Sequence, residues 1–380
     1  MKNINAFAGV AIIASGFVVT GLMMSQKAHA SMVPLLPTYH QPYDSAVIDE
    51  NITLHEGRVK TDPKGAIGYA MLSGAYLARS RESDSDVAAW KAEDAARQSL
   101  KLRTAQNDVA QAHLVQALLE QHRFQDALVE ATKIDGIKKD SKEGPKLTAD
   151  CLIEIGKFDE AKAILAKFVA DPRDYGFIAI NARMASGLDD HKTSLDLYQK
   201  ALVQAQALVV SEQDLSWFYT KIGTEQEALG ELVPARKSFE KALELYPNSY
   251  KATLGMGRIN LAEKRYDDAI AFADRTLPIA NSLDAKSTKY DALLAQGKKE
   301  AAAKELAEIH SQFKAEVATF DRLHKGGKYD VRPIDRQFAT FCVNHKVFAA
   351  EGLVAAARDY NNRPDPLGKK NFNRLTAMAY

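Results

Sequence analysis

Cysteine is scarce in this chain of 380 residues, with only Cys151 and Cys342. That excludes a disulfide scaffold and any zinc or iron–sulfur site built from several cysteines. Glycine and proline are also few, 21 and 12, which rules out a loop-dominated or low-complexity chain. Neither sign of charge prevails: 50 Lys and Arg against 49 Asp and Glu leave a formal +1. No whole-molecule field therefore draws the chain to nucleic acid or to an acidic membrane. From about Pro63 to His310, strand-like alternation and runs of β-branched residues are missing as well,. What remains is ordinary globular composition, 46% hydrophobic and 26% charged, arranged almost throughout in helical periods.

The first thirty residues have a different character. Lys2 precedes an apolar run from Ala6 to Met24, and a short polar stretch then ends in Ala28-His29-Ala30. Basic start, apolar middle and a small-x-small end are the parts of a secretory leader, with cleavage expected after Ala30 and a periplasmic or secreted destination. The alternative is an uncleaved anchor in an inner membrane facing the periplasm, because a run of this length can just span a bilayer. The nearest cysteine to the cleavage site is Cys151, so a lipid-modified cysteine at the new terminus is excluded. In an oxidising space Cys151 and Cys342 could pair, but in a linear stack of helices they fall several units apart, beyond the roughly 7 Å between Cα atoms that a disulfide needs. Both are expected to be buried and free.

From Pro63 to His310 one self-similarity dominates. Arg123-Phe124-Gln125-Asp126-Ala127, Lys157-Phe158-Asp159-Glu160-Ala161 and Arg265-Tyr266-Asp267-Asp268-Ala269 share a basic, aromatic, polar, acidic, alanine order. Ala127 and Ala161 stand one period of about 34 residues apart, and Ala235, Ala269 and Ala303 repeat that step,. Around Ser216 the match is fullest: Ile222-Gly223 form a large-small pair, Ala235 is the small residue at a helix crossing, Phe239 follows, then Ala242, and Pro247 closes the unit. Gly257, Ala269 and Ala273 repeat part of this, Tyr69, Leu72, Ser73 and Tyr76 carry its first half, and Ser194, Tyr198 and Ala201 carry a shifted copy. These residues resemble the tetratricopeptide repeat, a helical hairpin in which small residues sit where two helices cross.

The resemblance implies an all-α, right-handed superhelical solenoid of about seven hairpins, because a lone hairpin cannot bury its apolar face. The expected divisions are a leader over 1–30, a proline-containing N-terminal extension over 31–62, the repeat array over 63–310 and capping helices over 311–380. Two insertions are expected, at Arg79–Ala88, where the sequence is too polar to pack, and near Val203–Gln213. In the cap, one helix runs on to about His324 and a turn follows at Gly326-Gly327-Lys328. One long helix is then expected over Asp335–Tyr360, and a last short one from Lys369.

Chemistry is mostly absent. His55-Glu56 lacks the second histidine of a zinc-protease helix, and Gly255-Met256-Gly257 follows no strand, as a dinucleotide loop must. Gly297-Lys298 and Gly327-Lys328 lack the upstream glycine of a phosphate loop. His113 and His122 are not spaced as ligands on one helical face, and are read as surface or cap residues. No cofactor or metal site is expected, and no catalysis. A hydrolase using Asp330, Asp335, His345 and Asp359 in the last 70 residues is a remote alternative, since helical spacing scatters these groups.

The groove is left. Carrying over the first-helix positions that face the concave surface in the family gives Gln116 and Glu120, Glu143, Lys146, Asp150 and Glu154, Arg183, then Trp217, Thr220 and Glu227, and finally Lys251 and Arg258. The resemblance thus implies an exported, non-catalytic scaffold that binds a protein or peptide partner, with Trp217 as an anchor and Lys251 and Arg258 orienting acidic groups. An inner-membrane-anchored assembly factor for envelope machinery is the alternative. The paired Lys and Asn positions with which some family members clamp a C-terminal carboxylate are lacking.

Overall fold

In the computed structural model, residues 45–137, 143–167, 173–208, 210–323, 332 and 334–379 are described. The expected leader and cleavage site, the prolines at 34, 37 and 42, the turn expected at 326–328 and Asp330 lie outside them. Every described element is helical. A first helix, α1 (Ser45–Thr61), leads into seven hairpins: α2 (Ala66–Ser83) with α3 (Asp86–Leu102), α4 (Asp108–Glu120) with α5 (Phe124–Ala131), and, after the single turn α6 (Ile134–Ile137), α7 (Glu143–Glu154) with α8 (Phe158–Leu165). Then come α9 (Tyr175–Gly187) with α10 (His191–Ala207), α11 (Glu212–Ala228) with α12 (Leu232–Leu245), α13 (Tyr250–Ala262) with α14 (Tyr266–Thr276), and α15 (Leu283–Ala295) with α16 (Lys299–Leu323). Three further helices, α17 (Asp335–His345), α18 (Ala349–Asn362) and α19 (Pro366–Ala379), complete an all-α solenoid with a helical cap.

One local rule builds all seven hairpins. Each first helix ends on a residue with positive φ, in turn Asp84, His122, Gly156, Asp189, Gly230, Lys264 and Gly297. The next backbone N–H then donates to a carbonyl five residues back, as in Lys157 to Leu152 at 2.8 Å and Arg265 to Asn260 at 2.8 Å. This closes otherwise unpaired carbonyls and reverses the chain. Five residues beyond each turn residue stands a small side chain packed where the two helices cross: Ala89, Ala127, Ala161, Ser194, Ala235, Ala269 and Ala302, each at most 1% exposed. The sequence period picks Ala303 for the last of these, but Ala303 is exposed. The step there is one residue shorter, so the neighbouring alanine turns inward. Ala89 belongs to the same column and was not marked by the 34-residue spacing.

The polar stretch at Arg79–Ala88 is no insertion. α2 continues to Ser83, Ser80 and Glu82 are buried, and Arg79 pairs with both Glu82 and Asp49. At the second expected insertion the helices lengthen instead: α10 and α11 run 17 residues each, against 8 for α5 and α8.

Between hairpins, aromatic side chains fill the space that glycine leaves. Phe239 is fully buried, and a Cβ added at Gly223 would stand 2.8 Å from its ring and one at Gly255 2.5 Å. The ring is clasped by the first helix of its own hairpin and by that of the next. Gly257, which the repeat pattern marks as a close-approach site, would receive a Cβ at ordinary contact distances of 3.5 Å and more, so Gly255 is the tight position.

The cap is continuous with the array, since α16 runs through residue 310 without a break. Its core holds Phe313, Phe338, Phe341, Cys342 and Leu375 under α15 and α16, with the Phe313 and Phe338 rings stacked at 3.7 Å. The long helix expected over Asp335–Tyr360 is two helices. Lys346 and Phe348 take positive φ, and α18 folds back so that Gly352 lies on Cys342. α19 starts at Pro366 rather than Lys369. Proline's fixed φ suits a first helical position, and the Asp365 carboxylate accepts the Gly368 N–H at 2.7 Å. Cys151 and Cys342 are both buried and free. His113 is 4% exposed, a packing residue between α4 and α2 and not a surface one, whereas His122 occupies the α4–α5 turn.

Candidate functional site

The first helices carry the charged positions inward, where they meet in pairs. From the first hairpin, Arg81 reaches the second, donating from Nη2 to Gln116 Oε1 at 3.0 Å and from Nε to Glu120 Oε1 at 3.3 Å. Lys146 bridges Glu143 at 3.4 Å and Asp174 at 2.7 Å. Arg183 joins Asp150 and Glu154, the latter at 2.5 Å. Arg258 holds both oxygens of Glu227 at 2.7 Å. The acidic early groove and the basic later spot are therefore largely committed to partners one hairpin away.

These side chains touch water yet have protein on their other sides; Arg183 keeps 26% of its side-chain surface. Screening is weaker in such a channel than on an open face. Burial opposes the Glu154 anion, but the Arg183 and Arg363 guanidiniums outweigh it and hold its carboxyl at about 2. At Asp150 burial wins over Arg183 and the carboxyl rises. Lys221 forms no ion pair or hydrogen bond among the described residues. Burial first, then the Lys251 and Arg183 charges, bring its amine down to about 8.

Lys221 stands four residues after Trp217 on α11, its Nζ 5.6 Å from the indole ring. Trp217 is half-buried, edge-on to Phe218 at 4.9 Å and to Tyr198 at 5.8 Å. Lys251 is exposed, over the Tyr250 ring at 5.4 Å. Thr220 does not present a free hydroxyl: it is 6% exposed and donates back to the Ser216 carbonyl at 2.8 Å. Gln116 is similarly sunk, 7% exposed. Lys221, Arg81 and Tyr250 were missed by the positional carry-over. The first was legible as the i+4 neighbour of a tryptophan, which shares its helical face.

The channel is also closed by its own chain. The Tyr250 hydroxyl at the start of α13 donates to Asp84 Oδ1, at the tip of the first hairpin, at 2.7 Å. From the cap, Arg363 lies over the Phe124 ring at 4.3 Å and reaches Glu154 at 3.4 Å. The absence of a side chain on Gly156 lets the Pro364 carbonyl approach, 3.1 Å from where a Cβ would be.

Of the remote catalytic set, the three members among the described residues are each engaged with other groups. Asp335 is held by Arg358 and Asp359 by Arg336, while His345 faces Asp291 at 3.5 Å. Among the described residues no group of three or more His, Cys, Asp or Glu is placed to hold a metal ion, and no helix is long and apolar enough to cross a membrane.

The decisive comparison concerns the hairpins. A family model, the tetratricopeptide repeat, matches residues 228–287. The chain carries a tetratricopeptide repeat there. Among solved structures, a chain of the "APC/C hetero-tetramer Cut9-Hcn1" superposes with a TM-score of 0.50 at 17% identity, over 66% of this chain and 47% of that one. The chain thus spans about half the length of that neighbour, and the likeness is one of fold. PilF of Pseudomonas aeruginosa gives a TM-score of 0.44 at 16% identity over 58% of this chain and 93% of its own. BtubC of P. vanneervenii gives 0.41 at 16% over 52% and 92%. No curated protein sequence matches the chain closely enough to count as a relative.

Proposed function

We propose that the chain is an exported, non-catalytic scaffold that holds a protein or peptide segment in its inner channel. The observation that carries this reading is Lys221, a cation with no carboxylate partner among the described residues, beside a half-buried tryptophan, in a channel where Arg81, Lys146, Arg183 and Arg258 are paired. An ammonium kept charged against burial gains most from a ligand carboxylate, through a charge-assisted hydrogen bond. The partner therefore contributes an acidic side chain or chain end at Lys221 and Lys251, and an apolar group against Trp217. Arg258, bound to Glu227, shapes the wall instead of orienting the ligand. Export rests on the leader, and N-terminal sequencing of the protein recovered from envelope fractions tests it: a terminus at Ser31 supports export, and Met1 supports the anchored form.

The channel is tested by capturing partners with the chain from Ser31 and measuring affinity of the purified partner. Trp217→Ala and Lys221→Gln are each expected to weaken binding at least tenfold, about 1.4 kcal/mol, as for an aromatic and charged hot spot. Full affinity in both variants places the docking surface elsewhere.

A further inference from the structure

Around Trp217 the inner wall holds two polar groups with no hydrogen bond or ion pair among the described residues. One is Lys221 Nζ, 5.6 Å from the indole ring. The other is the hydroxyl of Tyr198, whose ring stands edge-on to the same indole at 5.8 Å. The carboxylates nearest the ammonium are already engaged. Glu225, four residues on along α11, accepts from Ser186 Oγ at 2.9 Å and lies 2.8 Å from His191 Nδ1, and Asp150 and Glu154 belong to Arg183. Lys251, one hairpin on, is exposed and also without a carboxylate among the described residues.

The amine and the hydroxyl share one environment. Arg183, Glu154 and Glu225 act on both, and Arg183, Asp150 and Glu154 touch water in the channel, so the oxygen end of Tyr198 is turned toward it. Tyr198 is 1% exposed, and a hydroxyl so placed is costly unless a partner meets it. Burial lifts it above the usual phenol range, which keeps it a donor. Burial and then the Lys251 and Arg183 charges bring the Lys221 amine to about 8. Its free-base fraction near neutral pH therefore exceeds that of a solvated lysine by about two orders of magnitude.

A free amine in a partly apolar wall is a nucleophile, and its surroundings select the electrophile. A charged reagent must shed its water to pass the paired side chains. An aldehyde removes the charge as an imine and offers nothing to Tyr198 or Lys251. Carbon dioxide is small and uncharged, and its adduct is an anion whose two oxygens suit a phenol donor and an ammonium. We propose that Lys221 forms a carbamate with carbon dioxide, held by the Tyr198 hydroxyl and Lys251. The Nζ lone pair of the free amine bonds to the carbon, one C=O π pair moves to oxygen, and a proton leaves nitrogen for water. The side chain thus passes from cation to anion, with no oxidant or further reactant, and protonation with loss of carbon dioxide reverses it. Repulsion of an acidic partner by this anion rests on the function proposed above, whereas the adduct does not.

The chain from Ser31 is equilibrated at pH 8 with carbon-13-labelled bicarbonate and carbon dioxide. The adduct is trapped by O-alkylation with triethyloxonium and read peptide by peptide by mass spectrometry. At least tenfold more label is expected at Lys221 than at Lys251, a comparison within one molecule that needs no variant, and unfolding in guanidinium chloride before labelling is expected to abolish the difference. Lys221→Arg is expected to remove the label. Tyr198→Phe, which leaves the ring in place, and Lys251→Gln are each expected to lower it at least threefold, with thermal melts showing the fold kept. No label at Lys221, label no greater than at Lys251, equal selectivity in the unfolded chain, or indifference to both Tyr198→Phe and Lys251→Gln overturns the proposal. Bicarbonate is also expected to weaken binding of a captured acidic partner to the parent and not to Lys221→Arg; label at Lys221 without that effect upholds the adduct and counts against the channel as the docking site.

Discussion

His113 places its Nδ1 3.0 Å from the Ala70 carbonyl oxygen, beneath Gly74, whose missing side chain leaves room for the ring. Burial pulls its pKa down to about 4; the Ala70 carbonyl opposes this and Arg81 adds to it. The folded value lies below the unfolded one, so between about pH 6.5 and 4 the unfolded chain binds more protons and stability falls as pH falls. His113 accounts for at most about 3 kcal/mol of that loss. Urea melts of His113→Gln, compared with the parent at pH 7.5 and 4.5, are expected to show a flatter acid limb; an unchanged slope would assign it to other groups. Neither the burial of this histidine nor the role of Arg81 was legible in sequence. Local polarity marks a residue as exposed, but the partners of Arg81 are 35 and 39 positions onward, on a helix that only the fold brings alongside.

At the scale of the helix, the hairpin rule explains both what could be read and what could not. Phe239 and its flanking alanines announced the fifth hairpin because side chains that fill or vacate a crossing are restricted in size. The turn residues are restricted only in backbone. Glycine serves at 156, 230 and 297, but Asp, His and Lys serve at the other four, so that column is invisible as a motif. The same limit hid the break at Lys346, which has neither glycine nor proline beside it. Gly255 and Gly257 give a sharp test of packing against pattern. Gly255→Ala drives a methyl into the Phe239 ring and is expected to cost about 1–3 kcal/mol by overpacking. Gly257→Ala finds ordinary contacts and is expected to be neutral or to stabilise by up to about 1 kcal/mol through helix propensity. Thermal and urea melts of the two single variants check this; equal losses would mean that Gly257 is as tightly packed as the repeat pattern implies.

For the molecule as a whole, the solenoid was legible because it follows from local repetition, whereas the closure of the channel was not. Tyr250 on Asp84 and Arg363 on Phe124 and Glu154 both join units far apart in sequence, and no period records them. Arg363→Ala removes a guanidinium that compensates Glu154 and is expected to destabilise by about 1–3 kcal/mol. It is also expected to raise hydrogen exchange at the α4–α5 and α7–α8 turns as well as in the cap. Exchange increases confined to the cap would show that the contact across the channel contributes little.

The Tyr250–Asp84 bond spans 166 residues, which has a consequence for how the chain is made. A stack that touches only its neighbours can fold hairpin by hairpin as it leaves the ribosome. Here the first hairpin awaits Tyr250, and the second and third await Arg363 near the end of the chain, so long-range closure sets the final step. Until then the acidic interior stands open, and the half-finished protein presents to other molecules a surface that the finished one keeps for itself.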